Sequence, residues 1–209
     1  MKEFICLLTA YLVGSIPFAY YAVQWTKGID LREVGSGNVG YTNAARILGY
    51  TRAAPVLLLD IAKGIAAVWA ARWLAPGQEI IAITAGLLSI LGHTWTIFLK
   101  FHGGGKGVAT SAGVFAALTP APFAIALASF LVTLAATRIM SLGSIVGSAA
   151  LVAAGGIFIG MESSMAPSWE VFLFSIAAAS LVIIRHRSNI GRLLRGEEPK
   201  LGASKEEQI

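Results

Sequence analysis

From residue 4 to residue 184 the chain is a succession of apolar stretches, most of them close to the ~20 residues that a helix needs to cross a bilayer. Hydrocarbon offers no hydrogen bonds, so backbone groups there must be satisfied within their own segment, and the stretches have to be helices. What lies between them is too sparse to solubilise such a core. Of 209 residues, 56% are hydrophobic and 13% charged, and the mean hydropathy is +0.73. Soluble domains carry about 25% charged residues. The chain is therefore expected to be an all-α integral membrane protein. Its net charge of +5 is read as cytoplasmic-loop bias rather than as a nucleic-acid footprint.

Residues 4–25 form the first stretch, with Trp25 as an interfacial anchor. It is long enough to span and no soluble domain follows it, so it reads as a transmembrane helix rather than a cleaved signal. The lone Cys6 within it reads as a small buried hydrophobe, and no disulfide framework exists. The second stretch, 53–74, carries Asp60 and Lys63 on one helix face, where they can pair. Charges at membrane depth are costly and face the bundle interior. A structural ion pair and support of the neighbouring polar site both fit that spacing.

Stretches 80–99, 107–119, 122–138, 142–160 and 168–184 complete the series. Pro120 and Pro122 interrupt the fourth and fifth. The fourth alone would reach only about 20 Å, against a hydrocarbon core of about 30 Å. Read as one kinked span, the pair would export Arg138 and the basic tail from Arg185 to Lys205. Read as two, Lys27, Arg32, Arg46, Arg52, Lys100, Lys106, Arg138 and that tail share one side, leaving Lys2 and Arg72 on the other. The positive-inside rule selects the second reading. The expectation is seven transmembrane helices in a domain of residues 1–195, with the N-terminus outside and the C-terminus cytoplasmic. A surface helix is expected through Leu194, then a charged, disordered cytoplasmic tail over 196–209.

Two polar loops stand out against this background. The first, Gly35-Ser36-Gly37-Asn38-Val39-Gly40-Tyr41-Thr42-Asn43-Ala44-Ala45-Arg46, combines glycines, neutral hydrogen-bonding side chains and a forked cation. Its backbone N–H groups can form an anion nest, and phosphate is the ligand expected there. The second, Gly103-Gly104-Gly105-Lys106-Gly107-Val108-Ala109-Thr110, places a glycine nest and a lysine before an apolar helix, whose N-terminus favours anions. It fails the nucleotide P-loop pattern, since Gly107 follows Lys106 and no strand precedes it. A third patch is Arg185-His186-Arg187-Ser188-Asn189, and a smaller one runs from Arg138 to Ser144. Carboxylates do not cluster in any of them. The scattered His93, His102 and His186 make no metal site, and Ser36 has no evident base nearby in sequence, so no nucleophilic triad is read.

These motifs together resemble the bacterial acyl-phosphate:glycerol-3-phosphate acyltransferases, the PlsY family. The resemblance rests on Ser36-Gly37-Asn38-Val39-Gly40 with Thr42, Asn43 and Arg46, on Gly104 through Thr110, and on Arg185-His186-Arg187 with Asn189-Ile190. It implies a seven-helix plasma membrane enzyme with its active site facing the cytoplasm. Such an enzyme acylates glycerol 3-phosphate from acyl phosphate, without a cofactor or metal, and makes lysophosphatidic acid in the first step of bacterial phospholipid synthesis. Implied partners are membrane lipid and the soluble enzyme that makes acyl phosphate. By motif, Ser36, Arg46, Lys106, His186 and Asn189 are the expected catalytic residues. Gly37, Asn38, Gly40, Thr42, Asn43, Gly104, Gly105, Gly107, Thr110 and Ser141 are expected to bind substrate or phosphate. The chain departs from the family pattern at Tyr41, which could narrow the phosphate nest, at Ser188, which stands where an acidic residue is common, at Gly103 and at Thr96.

The chemistry is consistent with that resemblance. Two phosphorylated substrates call for cations and backbone N–H groups, and acyl phosphate already has a good leaving group. Attack by the sn-1 hydroxyl then needs mainly positioning and charge stabilisation. Direct transfer without an acyl-enzyme is expected, with the departing phosphate taking the proton and His186 as the runner-up base. Ala66, Ala67, Ala70, Gly143, Gly147 and Gly156 would allow close helix packing beside an acyl groove. A transporter of a phosphorylated solute would also want glycine-broken helices and buried charge. It would place its polar groups at mid-membrane, whereas these motifs cluster at one face.

Overall fold

The computed structural model describes residues 1–202. Every regular element among them is helical. They fall into two compact units, residues 1–117 and the described part of 118–209.

In the first unit, α1 (Lys2–Gly14) and α2 (Phe18–Lys27) replace the single helix expected over 4–25. The break is at Pro17, which has no N–H to donate and whose ring excludes a helical carbonyl behind it. Two carbonyls freed there are taken up by side chains far along the chain. The Thr96 hydroxyl donates to Ser15 O, and Lys63 Nζ donates to Ile16 O at 3.2 Å. The unit continues with α3 (Tyr41–Leu48), α4 (Tyr50–Leu74) and α5 (Glu79–Thr94). A 3-10 turn over Ile97–Leu99 follows, then α6 (Val108–Leu118), which ends at the unit boundary. Small residues set the close approaches here. A Cβ on Gly14 would overlap Ser89 backbone and one on Gly92 would overlap Tyr11 O, so α1 and α5 pack backbone to backbone. Gly64 against Thr110 O and Gly113 against Ile61 O do the same for α4 and α6. Of the alanines expected to do this, Ala67 is buried, whereas Ala66 and Ala70 are exposed.

In the second unit, α7 (Pro120–Thr137) starts with proline in its first turn, where a missing N–H costs nothing. Thr119 separates it from α6, so the apolar run does divide into two helices at the prolines. Next come α8 (Met140–Gly160), α9 (Trp169–Arg185) and α10 (Arg187–Leu194). Gly143 and Gly147 let α8 close on Phe130 and Ala126 of α7, as expected of small residues. Gly156 faces Phe172 of α9.

Among the described residues, five helical segments are long and apolar enough to cross a membrane: Lys2–Lys27, Tyr50–Leu74, Glu79–Leu99, Pro120–Thr137 and Met140–Gly160. A sixth arises if Trp169–Arg185 and Arg187–Leu194, bent by 60°, count as one span. The Val108–Leu118 helix has 11 residues, about 17 Å at ~1.5 Å each. That is shorter than the stretch 107–119 anticipated from the sequence.

The tail was expected to be disordered from Gly196 onward. Residues 196–202 instead fold back on their own unit. Leu201 N–H donates to Arg138 O, and Arg138 Nη2 donates to Leu201 O, both at 2.7 Å. Residues 203–209 lie outside the described residues.

Candidate active site

The first loop is built around one buried amide. Asn43, on the first turn of α3, accepts the Ser36 N–H through Oδ1 at 3.1 Å and donates through Nδ2 to Leu31 O at 3.2 Å and Val34 O at 3.0 Å. Both amide hydrogens are thus engaged inside the loop. Gly35, at φ +60°, passes so close that a Cβ would overlap Asn43 Oδ1. The effect is to hold Ser36 at the surface, exposed, on a fixed turn. Arg46 and Thr42 emerge half-buried from α3, and Gly40 opens that helix. Asn38 and Gly37 lie half-buried between them. Tyr41 packs on the apolar cluster below the loop that includes Leu31, Val39 and Leu99. Its ring therefore reads as packing rather than as a plug in the nest, and burial pushes its hydroxyl up in pKa.

The second loop is bound to the first. Val39 N–H donates to Gly104 O at 3.4 Å, and Arg32 Nη1 donates to His102 O at 3.2 Å. Arg32 is itself held by Asp30, whose carboxylate it contacts at 2.6 Å, and it lies over the Tyr20 ring. Its hydrogen bonds keep the Asp30 carboxyl below the usual carboxylate range. Sequence reasoning gave Arg32 only a place among loop cations. Its bracing role depends on contacts 70 residues away.

Gly104 and Gly105 are wedged against the end of α5. Gly105 N–H donates to His93 O at 3.0 Å. A Cβ on Gly104 would overlap Thr94 O, and one on Gly105 would overlap the His93 ring at Nε2. No side chain fits at either position. Gly107, at φ +83°, then turns the chain into α6, leaving Lys106 half-buried on the loop. Thr110, expected to meet substrate, is fully buried, with its carbonyl packed against Gly64. This unit therefore carries Ser36, Arg46 and Lys106 on or next to two glycine loops joined by the Val39–Gly104 bond, ahead of the α6 N-terminus, a setting suited to anions.

The second unit contains a polar cluster of its own. Ser141 Oγ donates to Glu198 Oε1 at 2.7 Å, Asn189 Nδ2 donates to the same oxygen at 2.5 Å, and Arg192 Nε donates to Oε2 at 2.8 Å. Ser141, Asn189 and Glu198 are all buried. Burial alone would push the Glu198 carboxyl up, but the bonds from Asn189, Ser141 and Arg192 outweigh it and hold it below the ordinary glutamate range. Glu198 was not among the expected site residues, having been read as part of a solvated tail. His186, also buried, places Nδ1 2.7 Å from Val182 O. A carbonyl can only accept, so Nδ1 carries the hydrogen and the neutral ring keeps its lone pair on Nε2. Among the described residues, no group of three His, Cys, Asp or Glu could hold a metal ion.

A sequence model described as glycerol-3-phosphate acyltransferase matches residues 4–196. Among curated relatives, the glycerol-3-phosphate acyltransferase of Thermoanaerobacter sp. (strain X514) is 44% identical over 206 residues, 99% of either chain. That of Desulforamulus reducens is 40% identical over 207 residues, 95% of either chain. Among solved structures, the chain is similar to PlsY, an integral membrane glycerol 3-phosphate acyltransferase. Against the glycerol 3-phosphate form the TM-score is 0.84 at 35% identity, covering 97% of this chain and 96% of that one. Against the lysophosphatidic acid form it is 0.81 at 34% identity, with the same coverage.

Proposed function

Because the chain belongs to the glycerol-3-phosphate acyltransferase family, we propose that it transfers a fatty acyl group from acyl phosphate to the sn-1 hydroxyl of glycerol 3-phosphate. The products are lysophosphatidic acid and inorganic phosphate. Family membership carries the acyl acceptor, and the solved relatives in glycerol 3-phosphate and lysophosphatidic acid forms support that acceptor and product. The donor is argued from chemistry. Two glycine loops joined by the Val39–Gly104 bond, with Arg46 and Lys106 beside them, suit two phosphates better than they suit a thioester carrier.

In the proposed reaction the sn-1 oxygen attacks the acyl carbonyl carbon. The C–O bond to phosphate breaks, and the hydroxyl proton leaves with the departing phosphate. Arg46 and Lys106 neutralise phosphate charge, while Ser36 and N–H groups of the glycine loops orient it. Asn189 and Ser141, which the family motifs also assign to substrate, are held within their own unit by Glu198. A second reading has a specific observation behind it: with Nδ1 donating to Val182, His186 Nε2 is the basic nitrogen and can take the proton. Asn43 is reassigned in this reading from a phosphate ligand to a brace of the loop.

The positive-inside balance supports seven spans, with the N-terminus outside, the C-terminus and polar loops on the cytoplasmic side, and a bacterial plasma membrane location. A short α6 can cross where the lipid thins or protein covers its ends. An acyl phosphate supply from a soluble enzyme follows from the donor.

Purified protein supplied with acyl phosphate and radiolabelled glycerol 3-phosphate should release phosphate and form lysophosphatidic acid in equal amounts. Arg46→Ala and Lys106→Ala should each lower turnover by about 100-fold or more while the protein still inserts. Full activity in both variants would remove the phosphate assignment. Turnover with acyl-CoA but not acyl phosphate would overturn the donor, and solute flux in liposomes without acylation would favour a transporter.

A further inference from the structure

Two buried charges in the first unit have no part in the reaction as described. Asp60 and Lys63, both 2% exposed at the side chain, are 2.7 Å apart on α4. Removing two ions from water costs several kcal/mol each after relaxation, and a pair of apolar side chains often serves stability as well or better. Cohesion alone therefore does not account for a buried ion pair at this place.

The partners of Lys63 show what the pair is tied to. An ammonium has three donors and no lone pair. Lys63 Nζ is ion-paired with Asp60 Oδ1 at 2.7 Å, donates to Ile16 O at 3.2 Å and meets His93 Nδ1 at 3.0 Å, with the Phe18 ring 5.4 Å away; Asp60 Oδ1 also lies 3.5 Å from His93 Nδ1. Against an ammonium, Nδ1 must accept. The neutral His93 ring is then the tautomer with its hydrogen on Nε2, and Nε2 is the atom that lies against Gly105. His93 therefore stands between the ion pair and the glycine loop. One ring nitrogen is locked by Lys63, the other forms the floor under Gly105, and its own carbonyl accepts the Gly105 N–H at 3.0 Å. The same lysine ties the α1–α2 break at Ile16 to this floor.

We propose that Asp60, Lys63 and His93 form a positioning relay that fixes the Nε2–H tautomer and orientation of His93 and so sets the glycine loop, with Lys106, for glycerol 3-phosphate. The inference rests on the assignment of that loop to phosphate. None of the three touches substrate; they act through the loop.

The discriminating variant is the double substitution Asp60→Leu with Lys63→Met. It removes both charges together, so it should insert and fold, whereas either single change would leave an unpaired buried ion. In the folded double variant, KM for glycerol 3-phosphate should rise by about 10- to 100-fold, the scale of losing one hydrogen bond to a charged group. KM for the acyl donor should stay near the parent value, and kcat should fall little. His93→Gln, which leaves the ion pair in place, should show the same split. Nitrogen NMR reads the relay directly, since the chain has only 3 histidines and His93→Gln identifies the signal. The parent should show His93 protonated at Nε2 alone, and the double variant should lose that preference. A folded double variant with unchanged KM for glycerol 3-phosphate and an unchanged His93 tautomer would overturn the proposal and leave the pair a structural ion pair. If the parent does not acylate glycerol 3-phosphate, the reaction reading fails instead, and the tautomer measurement still decides whether the relay exists.

Discussion

Gly105 and the His93 ring exclude any side chain between them, and Gly104 meets Thr94 O in the same way. Gly104→Ala and Gly105→Ala should therefore displace the loop and raise KM for glycerol 3-phosphate sharply, as steady-state kinetics would show, without unfolding the helices. A glycine run advertises such positions in the sequence, but it does not say what presses on them. Asn43 is the opposite case. Its residue type and place in a nest-like loop point to phosphate, whereas its amide is consumed by Leu31, Val34 and Ser36. Asn43→Ala should leave those backbone groups underbonded and cost about 1–3 kcal/mol, read as a lower melting temperature in detergent. Thr96, a departure from the family pattern, donates to Ser15 O and caps the 3-10 turn by accepting the Phe98 N–H. Hydroxyl chemistry explains why it is tolerated there, yet its partner 81 residues away was not legible.

At the level of elements, the helices agree with hydropathy and turn signals to within a few residues wherever a proline or a polar loop marks the end. Pro120 opening α7 is one instance, and Ser168 capping α9 by accepting the Val171 N–H at 3.3 Å is another. The tail strap is where element reading fails. Residues 196–202 carry charges that look solvated, but Glu198 finds three donors on α8 and α10. Its carboxyl is held below its ordinary pKa, so the strap's contribution is present above the unfolded glutamate value, about 4.3, and is lost as pH falls through the folded one. Thermal stability followed from pH 7 downward should drop in that acid window, and Glu198→Gln should flatten the drop. Truncation before Glu198 should release Ser141 and Asn189 and cost activity as well as stability.

For the whole molecule, the distribution of lysine and arginine makes a topological prediction. Cys6 is the single cysteine and is buried, so a Cys6→Ala background allows introduced cysteines to report sidedness. Gln78→Cys should label from outside intact cells with an impermeant reagent, whereas Lys100→Cys and Ser188→Cys should label only after the membrane is opened. Labelling of Lys100→Cys and Ser188→Cys on opposite sides would remove the seven-span arrangement, because α6 would then not cross.

Hydropathy, the proline breaks and the glycine–cation loops are local properties, and from them alone the chain reads as an all-helical membrane protein whose loops are built for phosphate. Contacts across long separations in sequence were decided only on folding. They include the Lys63 bond to His93 and the Glu198 bonds to Ser141 and Asn189. They also include the split of the first span, where Ser15 O and Ile16 O accept from Thr96 and Lys63. A residue's own chemistry says what it can bond. Which of many equivalent donors and acceptors it meets is set by the packing of helices that are far apart in the chain.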